Sequence, residues 1–257
     1  MNAYAELAEY NQQEMRRMRD PMYPRPEVDF PAVCRHPAVE ALRAQELAKY
    51  DREYFAIHYW REDLPGLTGN HGLSYDDPDH KQRFAFIYET LVAPEHPIHM
   101  LDVGCGTGLL LLEALRHGID AWGIDSSSVA KNIFTESASR EFSNRFENAS
   151  ATSLPFESES FDLSVCMDML EHLPVFDFVT AIHELCRVSS GNIICSINVD
   201  NPYDYHPTIL SRHSWIALFE SVGSVVLDAH KTDDLNRQVK LRYPEYDIFF
   251  FRRKDQQ

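Results

Sequence analysis

A chain of 257 residues with 44% hydrophobic content is long enough to bury one substantial core. Its formal net charge of −16 argues against broad electrostatic binding to nucleic acid or to an anionic membrane. The five cysteines form no C-x-x-C pair, and no stretch approaches the roughly 18 to 20 apolar residues of a membrane span, so zinc knuckle, disulfide framework and bilayer crossing are all unexpected. The expected setting is a reducing cytoplasm.

Residues 1–95 read as a helical N-terminal extension. Ala3 to Met18 has near-helical spacing, and prolines at 21, 24 and 26 then break regular structure. His36 to Trp60 resumes a helical pattern, with Ala41, Leu42, Leu47, Tyr50, Tyr54, Phe55 and Ile57 as its apolar stripe. Arg61 to His80 is irregular and rich in glycine, proline and acids. The aromatics around it, Tyr59 and Tyr75 among them, favour a loop that orders as a lid over a ligand. His71, Asp76, Asp77, Asp79 and His80 fit ordinary turn chemistry, and no metal is expected. Lys81 to Val92 reads as a helix with Phe84, Ile87, Tyr88 and Leu91 on one face.

The stretch from Ile98 to Ser126 organises the rest. An apolar run through Val103 gives a buried strand, Gly104, Gly106 and Gly108 a turn, and Leu109 to Leu115 a helix. A second strand, Ala121 to Ile124, ends on Asp125. Strand, turn, helix and strand of this length open a doubly wound α/β domain. Glycine lets backbone approach a ligand, and the helix start presents unpaired N–H groups. An acid at the tip of the second strand can accept hydrogen bonds from two ribose hydroxyls. The pair indicates a nucleoside cofactor. The dinucleotide fingerprint needs glycine where Leu109 stands, which disfavours a nicotinamide dehydrogenase.

Asp102-Val103-Gly104-Cys105-Gly106-Thr107-Gly108 resembles the first motif of the class I S-adenosylmethionine-dependent methyltransferases. A second stretch resembles the same family: Leu154, Pro155 and Phe156, then Phe161 and Asp162 leading a strand to Met167. The resemblance implies a Rossmann-like, seven-stranded, mostly parallel sheet with helices on both faces and an antiparallel last strand. It also implies S-adenosylmethionine as cofactor and S-adenosylhomocysteine as product. Asp102, Gly104, Cys105, Gly106, Asp125, Ser126, Ala151 and Met167 are its expected binding residues, and Arg83 is a candidate partner for its carboxylate. Ser150 stands where relatives carry an acid toward the adenine amino group, a weaker neutral acceptor.

After the strand ending at Met167 come Asp168, Met169, Glu171 and His172, at the ligand edge of an open sheet. His172 is the general-base candidate by residue type; capping or orienting the next helix, Val175 to Val188, is its other reading. A fifth strand, Asn192 to Val199, leads to a loop whose Tyr203 and Tyr205 are substrate-facing candidates. His206 in the same loop competes with His172 as the base. Ser211 to Ser221 reads as a helix, and Val225 to Leu227 and Ile248 to Phe251 as the last two strands. The segment from His230 to Tyr246 reads as a polar insertion outside the resemblance.

The expected organisation is an extension over 1–95 acting as lid and a catalytic domain over 96–257. The expected function is methyl transfer to an O or N atom of a small-molecule acceptor such as a natural product, sugar or amino-acid-like metabolite. Nucleic acid and membrane are not expected partners, and a homodimer is the commonest closed assembly. Two alternatives stay open: use of the same cofactor for cyclisation or elimination, and a cofactor-binding partner module without turnover.

Overall fold

The computed structural model describes residues 37–50, 54, 78–173, 175–199, 206–222 and 224–254. Tyr59, Tyr75, Tyr203, Tyr205 and most of the expected lid loop lie outside the described residues. The chain runs through α1 (Pro37–Ala48), α2 (Pro78–Ile87), β1 (His99–Val103), α3 (Leu109–Arg116), β2 (Asp120–Asp125), α4 (Ser128–Ser137) and β3 (Phe146–Asn148). It continues through β4 (Phe161–Met167), α5 (Val175–Val188), β5 (Ser189–Ser196), α6 (Arg212–Val222), β6 (Val225–Leu227), α7 (Ala229–Lys240) and β7 (Ile248–Arg253).

The strands form one sheet in the order β3-β2-β1-β4-β5-β7-β6. The first five pair in parallel, and β7 runs antiparallel to both β5 and β6. This is the expected seven-stranded sheet. Its strands read as apolar runs because both faces are covered. On β7, Ile248 and Phe250 enter one core while Phe249 and Phe251 enter the other. The first core holds Leu111 of α3, Phe134 of α4 and Leu235 of α7; the second holds Phe178 of α5 and Trp215 and Phe219 of α6. Each fully buried leucine or phenylalanine stabilises the fold by roughly 1.5–3 kcal/mol.

Helix α2 starts at Pro78 and widens into a π-turn at Tyr88–Val92 before a 3₁₀ turn at Ala93–Glu95. Ile87, Tyr88, Leu91 and Val92 are buried in the same core as α3, so this part of the extension contributes to the sheet's packing. Asp162, from the Phe-Asp pair, has a structural task. Its carboxylate accepts the N–H groups of Ile98 and His99 at 2.9 and 3.1 Å and fixes the entry to β1.

The stretch that reads as a polar insertion is largely helix α7, a correction to the sequence reading. Asp228 caps it by accepting the Lys231 N–H at 3.0 Å. Thr232, Leu235 and Val239 form its buried stripe. Asn236 closes the contact with β7: its amide donates to the Ile248 carbonyl at 2.7 Å, and its oxygen accepts the Ile248 N–H at 3.0 Å. Three inward side chains, one of them a threonine, are too few to stand out in a polar sequence.

Candidate active site

Strand order reverses between β1 and β4, and ligands of open α/β sheets bind beyond the carboxyl ends of strands at such a point. A cavity of about 410 Å³ lies there. Its floor is the glycine turn. The N–H groups of Gly104 and Cys105 both donate to the Ile124 carbonyl, at 2.8 and 2.9 Å, which lashes the turn to β2. Gly104 has φ +72°, and a Cβ there would lie 2.3 Å from Met169 Cγ. Only a glycine meets both conditions without displacement. Cys105 directs its sulfur toward Gly123 rather than into the cavity.

Asp125 stands on the cavity wall at the tip of β2. Its carboxylate accepts the Gly106 N–H at 3.0 Å and the Ser127 N–H at 2.8 Å. Burial nevertheless pushes its pKa up to about 6. Asp102 lies beneath the turn, 3% exposed and outside the cavity lining. Burial, and then the charge of Asp125, push it up to about 7. Ser126, Ser150 and Ala151 line the same end of the cavity. The Ser150 hydroxyl is drawn into a local turn: it lies 2.8 Å from Thr152 Oγ1 and accepts the Thr152 N–H at 3.2 Å.

The opposite wall follows β4 and comprises Met167, Asp168, Met169, His172 and Leu173. Asp168 adopts φ +48°, a left-handed conformation uncommon outside glycine. Its carboxylate accepts the Ser196 hydroxyl, and burial raises its pKa to about 6. Glu171 is fully buried, and burial followed by the charge of Asp168 holds it well above the usual carboxylate range. It accepts the Asn198 N–H at 2.8 Å through Oε1, and its backbone carbonyl accepts the Thr208 N–H at 3.2 Å. Glu171 thus ties down both ends of the loop after β5. That loop brings His206 beside His172, with ring centroids 4.6 Å apart in an edge-on contact. His172 is among the residues that line the cavity, and His206 is not.

The roof is α1 and the turn after it. Arg43, Ala44, Leu47, Tyr50 and Tyr54 line the cavity from above, the spacing of one helical face. Arg43 forks onto Asp177 at the start of α5, with Nε–Oδ2 at 2.7 Å and Nη2–Oδ1 at 2.6 Å. Tyr50 makes two contacts across the cavity. Its hydroxyl lies 2.8 Å from His172 Nδ1, and its carbonyl accepts the Ser127 hydroxyl at 3.0 Å.

Residues 100–191 match a family model described as a methyltransferase domain. This stretch, from β1 to the start of β5, is similar to methyltransferase domains. The chain is 35% identical over 123 residues to the ubiquinone biosynthesis O-methyltransferase of Alkalilimnicola ehrlichii, covering 46% of this chain and 49% of that protein. The protein of the same name from Roseobacter denitrificans is 32% identical over 158 residues, covering 58% of this chain and 62% of that one. The chain thus spans about half the length of these curated relatives. The fold also matches magnesium protoporphyrin IX methyltransferase (ChlM) from Synechocystis PCC 6803 with bound SAH. There the TM-score is 0.53 at 16% identity, covering 68% of this chain and 84% of that one.

The structure brings Gly104, Gly106, Asp125, Ser126, Ser150, Ala151, Met167 and His172 to one cavity. It does not bring Arg83 there. The Arg83 guanidinium lies 4.7 Å above the Tyr243 ring and 3.4 Å from Glu245, because α2 packs against the segment that follows α7. Sequence reading assigned no site role to Arg43, Tyr50, Tyr54, Leu173 or Asp177. The helical spacing of Leu47, Tyr50 and Tyr54 was the available signal, and it read as part of an ordinary apolar stripe.

Proposed function

We propose that this methyltransferase moves a methyl group from S-adenosylmethionine to a hydroxyl oxygen of a small-molecule acceptor, with His172 as general base. The observation that carries the reading is the pairing, across one cavity, of Asp125 at one end with His172 at the other. The similar proteins from Alkalilimnicola ehrlichii and Roseobacter denitrificans are O-methyltransferases, which supports oxygen over nitrogen as the acceptor atom.

The residues present fit the cofactor. Asp125 would accept the ribose hydroxyls, and the turn through Gly104 and Gly106 gives close access to backbone for the amino-acid portion. Ser150 and Ala151 would meet the adenine, chiefly through backbone, since the Ser150 hydroxyl is held by Thr152. When bound, S-adenosylmethionine supplies a methyl group already activated on a sulfonium. The chain's own tasks are to align the acceptor, exclude water and take the hydroxyl proton. His172 is suited to the last task. Leu47, Tyr50, Tyr54, Met169 and Leu173 make the neighbouring surface apolar and aromatic, which favours an acceptor with an aromatic or aliphatic body around its hydroxyl.

His172→Ala tests the assignment. S-adenosylhomocysteine affinity, read by calorimetry, stays within about threefold of wild type, while turnover of a hydroxyl acceptor falls at least about 100-fold. Unchanged turnover would remove His172 from the base role.

A further inference from the structure

Tyr50 sits outside the family-matched segment, on the roof helix side, yet it touches both walls of the cofactor cavity. Its hydroxyl engages His172 Nδ1 at 2.8 Å, and its ring meets the His172 ring edge-on, with centroids 5.7 Å apart. Its carbonyl holds the Ser127 hydroxyl. Ser127 is buried, caps α4 by accepting the Ala130 N–H at 3.3 Å, and donates its own N–H to Asp125. One residue of the extension therefore connects the proposed base to the carboxylate proposed to hold the ribose.

A neutral imidazole carries one proton, and the partner of one ring nitrogen decides which nitrogen is left as acceptor. Were the Tyr50 hydroxyl to donate to Nδ1, the ring proton would sit on Nε2 and the imidazole could not take a proton there. Were Nδ1–H to donate to the Tyr50 oxygen, Nε2 would be the basic atom.

We propose that Tyr50 is the positioning residue of the base: it accepts a hydrogen bond from His172 Nδ1–H, so that Nε2 receives the acceptor's proton. This rests on the methyltransferase reading and adds to it a residue of the extension. The Ser127 contact fixes the Tyr50 backbone beside Asp125, so the hydroxyl is delivered to His172 in the same arrangement that shapes the ribose end. His206, edge-on to His172, packs against the same ring. The arrangement assigns Tyr50 no contact with the reacting atoms.

Tyr50→Phe removes the hydroxyl and keeps the ring and the carbonyl that holds Ser127. The probe is S-adenosylhomocysteine, and the first readout is the tautomer of His172 from nitrogen NMR shifts of the loaded protein. Wild type shows a protonated Nδ1, and Tyr50→Phe shifts the ring toward the Nε2–H form. The second readout is kinetic: kcat with a hydroxyl acceptor falls about tenfold, with KM for the cofactor and the melting temperature unchanged. An Nε2–H tautomer in wild type, or a tautomer unmoved by Tyr50→Phe, overturns the proposal. So does a variant that loses cofactor affinity and melting temperature in step with kcat, since that is the signature of a packing role alone. The tautomer readout needs no turnover, so it decides the role of Tyr50 separately from whether the chain transfers methyl groups to hydroxyls.

Discussion

The Gly106 N–H donates to Asp125 Oδ2 at 3.0 Å, which adds a side-chain link to the two backbone bonds that join the glycine turn after β1 to the end of β2. The second oxygen of the same carboxylate takes the Ser127 N–H at the start of α4. Asp125 therefore holds the shape of its part of the cavity while presenting its carboxylate to it.

Asp125→Ala is expected to weaken S-adenosylhomocysteine binding by roughly 1.5–3 kcal/mol, the range for hydrogen bonds to a charged group. Calorimetric titration of wild type and variant checks it. Equal affinities would take the ribose role from Asp125.

The desolvated carboxyls of buried Asp102 and half-buried Asp125 make a pH prediction whose sign is fixed. Asp102 titrates near 7 and Asp125 near 6, against a usual value of 3.8, chiefly because burial disfavours their charged forms. Such a group binds more protons in the folded chain than in the unfolded one over that interval. Its stabilising contribution is complete below the unfolded pKa and is lost as pH rises through about 6 to 7. The melting temperature of the ligand-free protein, taken relative to Asp102→Asn, therefore falls from about pH 4 to about pH 7 and then levels. Parallel melting curves for the two proteins across that range would contradict the assignment.

Gly104→Ala meets two obstacles at once, the left-handed backbone and a Cβ 2.3 Å from Met169 Cγ. The expected loss is about 1–3 kcal/mol of stability, together with weaker cofactor binding as Met169 is pushed into the cavity. Adding Met169→Ala removes the Cγ contact but leaves the 2.7 Å approach to that residue's Cβ and the backbone strain, so it restores only part of the cofactor affinity. Thermal melts and titrations of both variants check this, and an undisturbed Gly104→Ala protein would refute it.

The fork between Arg43 and Asp177 anchors the roof. The Asp177 side chain is 4% exposed and the Arg43 side chain 25% exposed. Arg43→Ala leaves a buried carboxylate whose remaining compensation is the start of α5, so a loss of about 1–3 kcal/mol is expected. Asp177→Ala combined with Arg43→Ala is less destabilising than the sum of the two, with a coupling of about 0.5–3 kcal/mol from denaturant unfolding. Additive losses would mean that the contact does not hold the helix.

The sheet and the cavity lining at the glycine turn and Asp125 were legible because their signals are local. Apolar runs such as Ile98 to Val103 need burial on both faces, and Gly104 and Asp125 carry their chemistry wherever the two strands lie side by side. Helix α7 was not legible, because hydrogen bonds from Thr232 and Asn236 to β7 replace much of the apolar periodicity that marks a helix. That Arg83 lies outside the cavity lining was not legible, because its partners, Tyr243 and Glu245, come from that same unread segment. The roof was half legible. The helical pattern through Tyr50 was plain, but that its aromatic stripe faces a cavity depends on Asp177 and Ser127, more than 70 residues away in sequence.

The most direct test of the account follows the cofactor's methyl group. The protein is incubated with S-adenosylmethionine labelled at that carbon and with an aromatic hydroxyl acceptor, and the products are separated by mass spectrometry. The account predicts the label on the acceptor oxygen with an equal amount of S-adenosylhomocysteine. Methylthioadenosine, with the label still on sulfur, would contradict it and identify cleavage at the aminocarboxypropyl group instead.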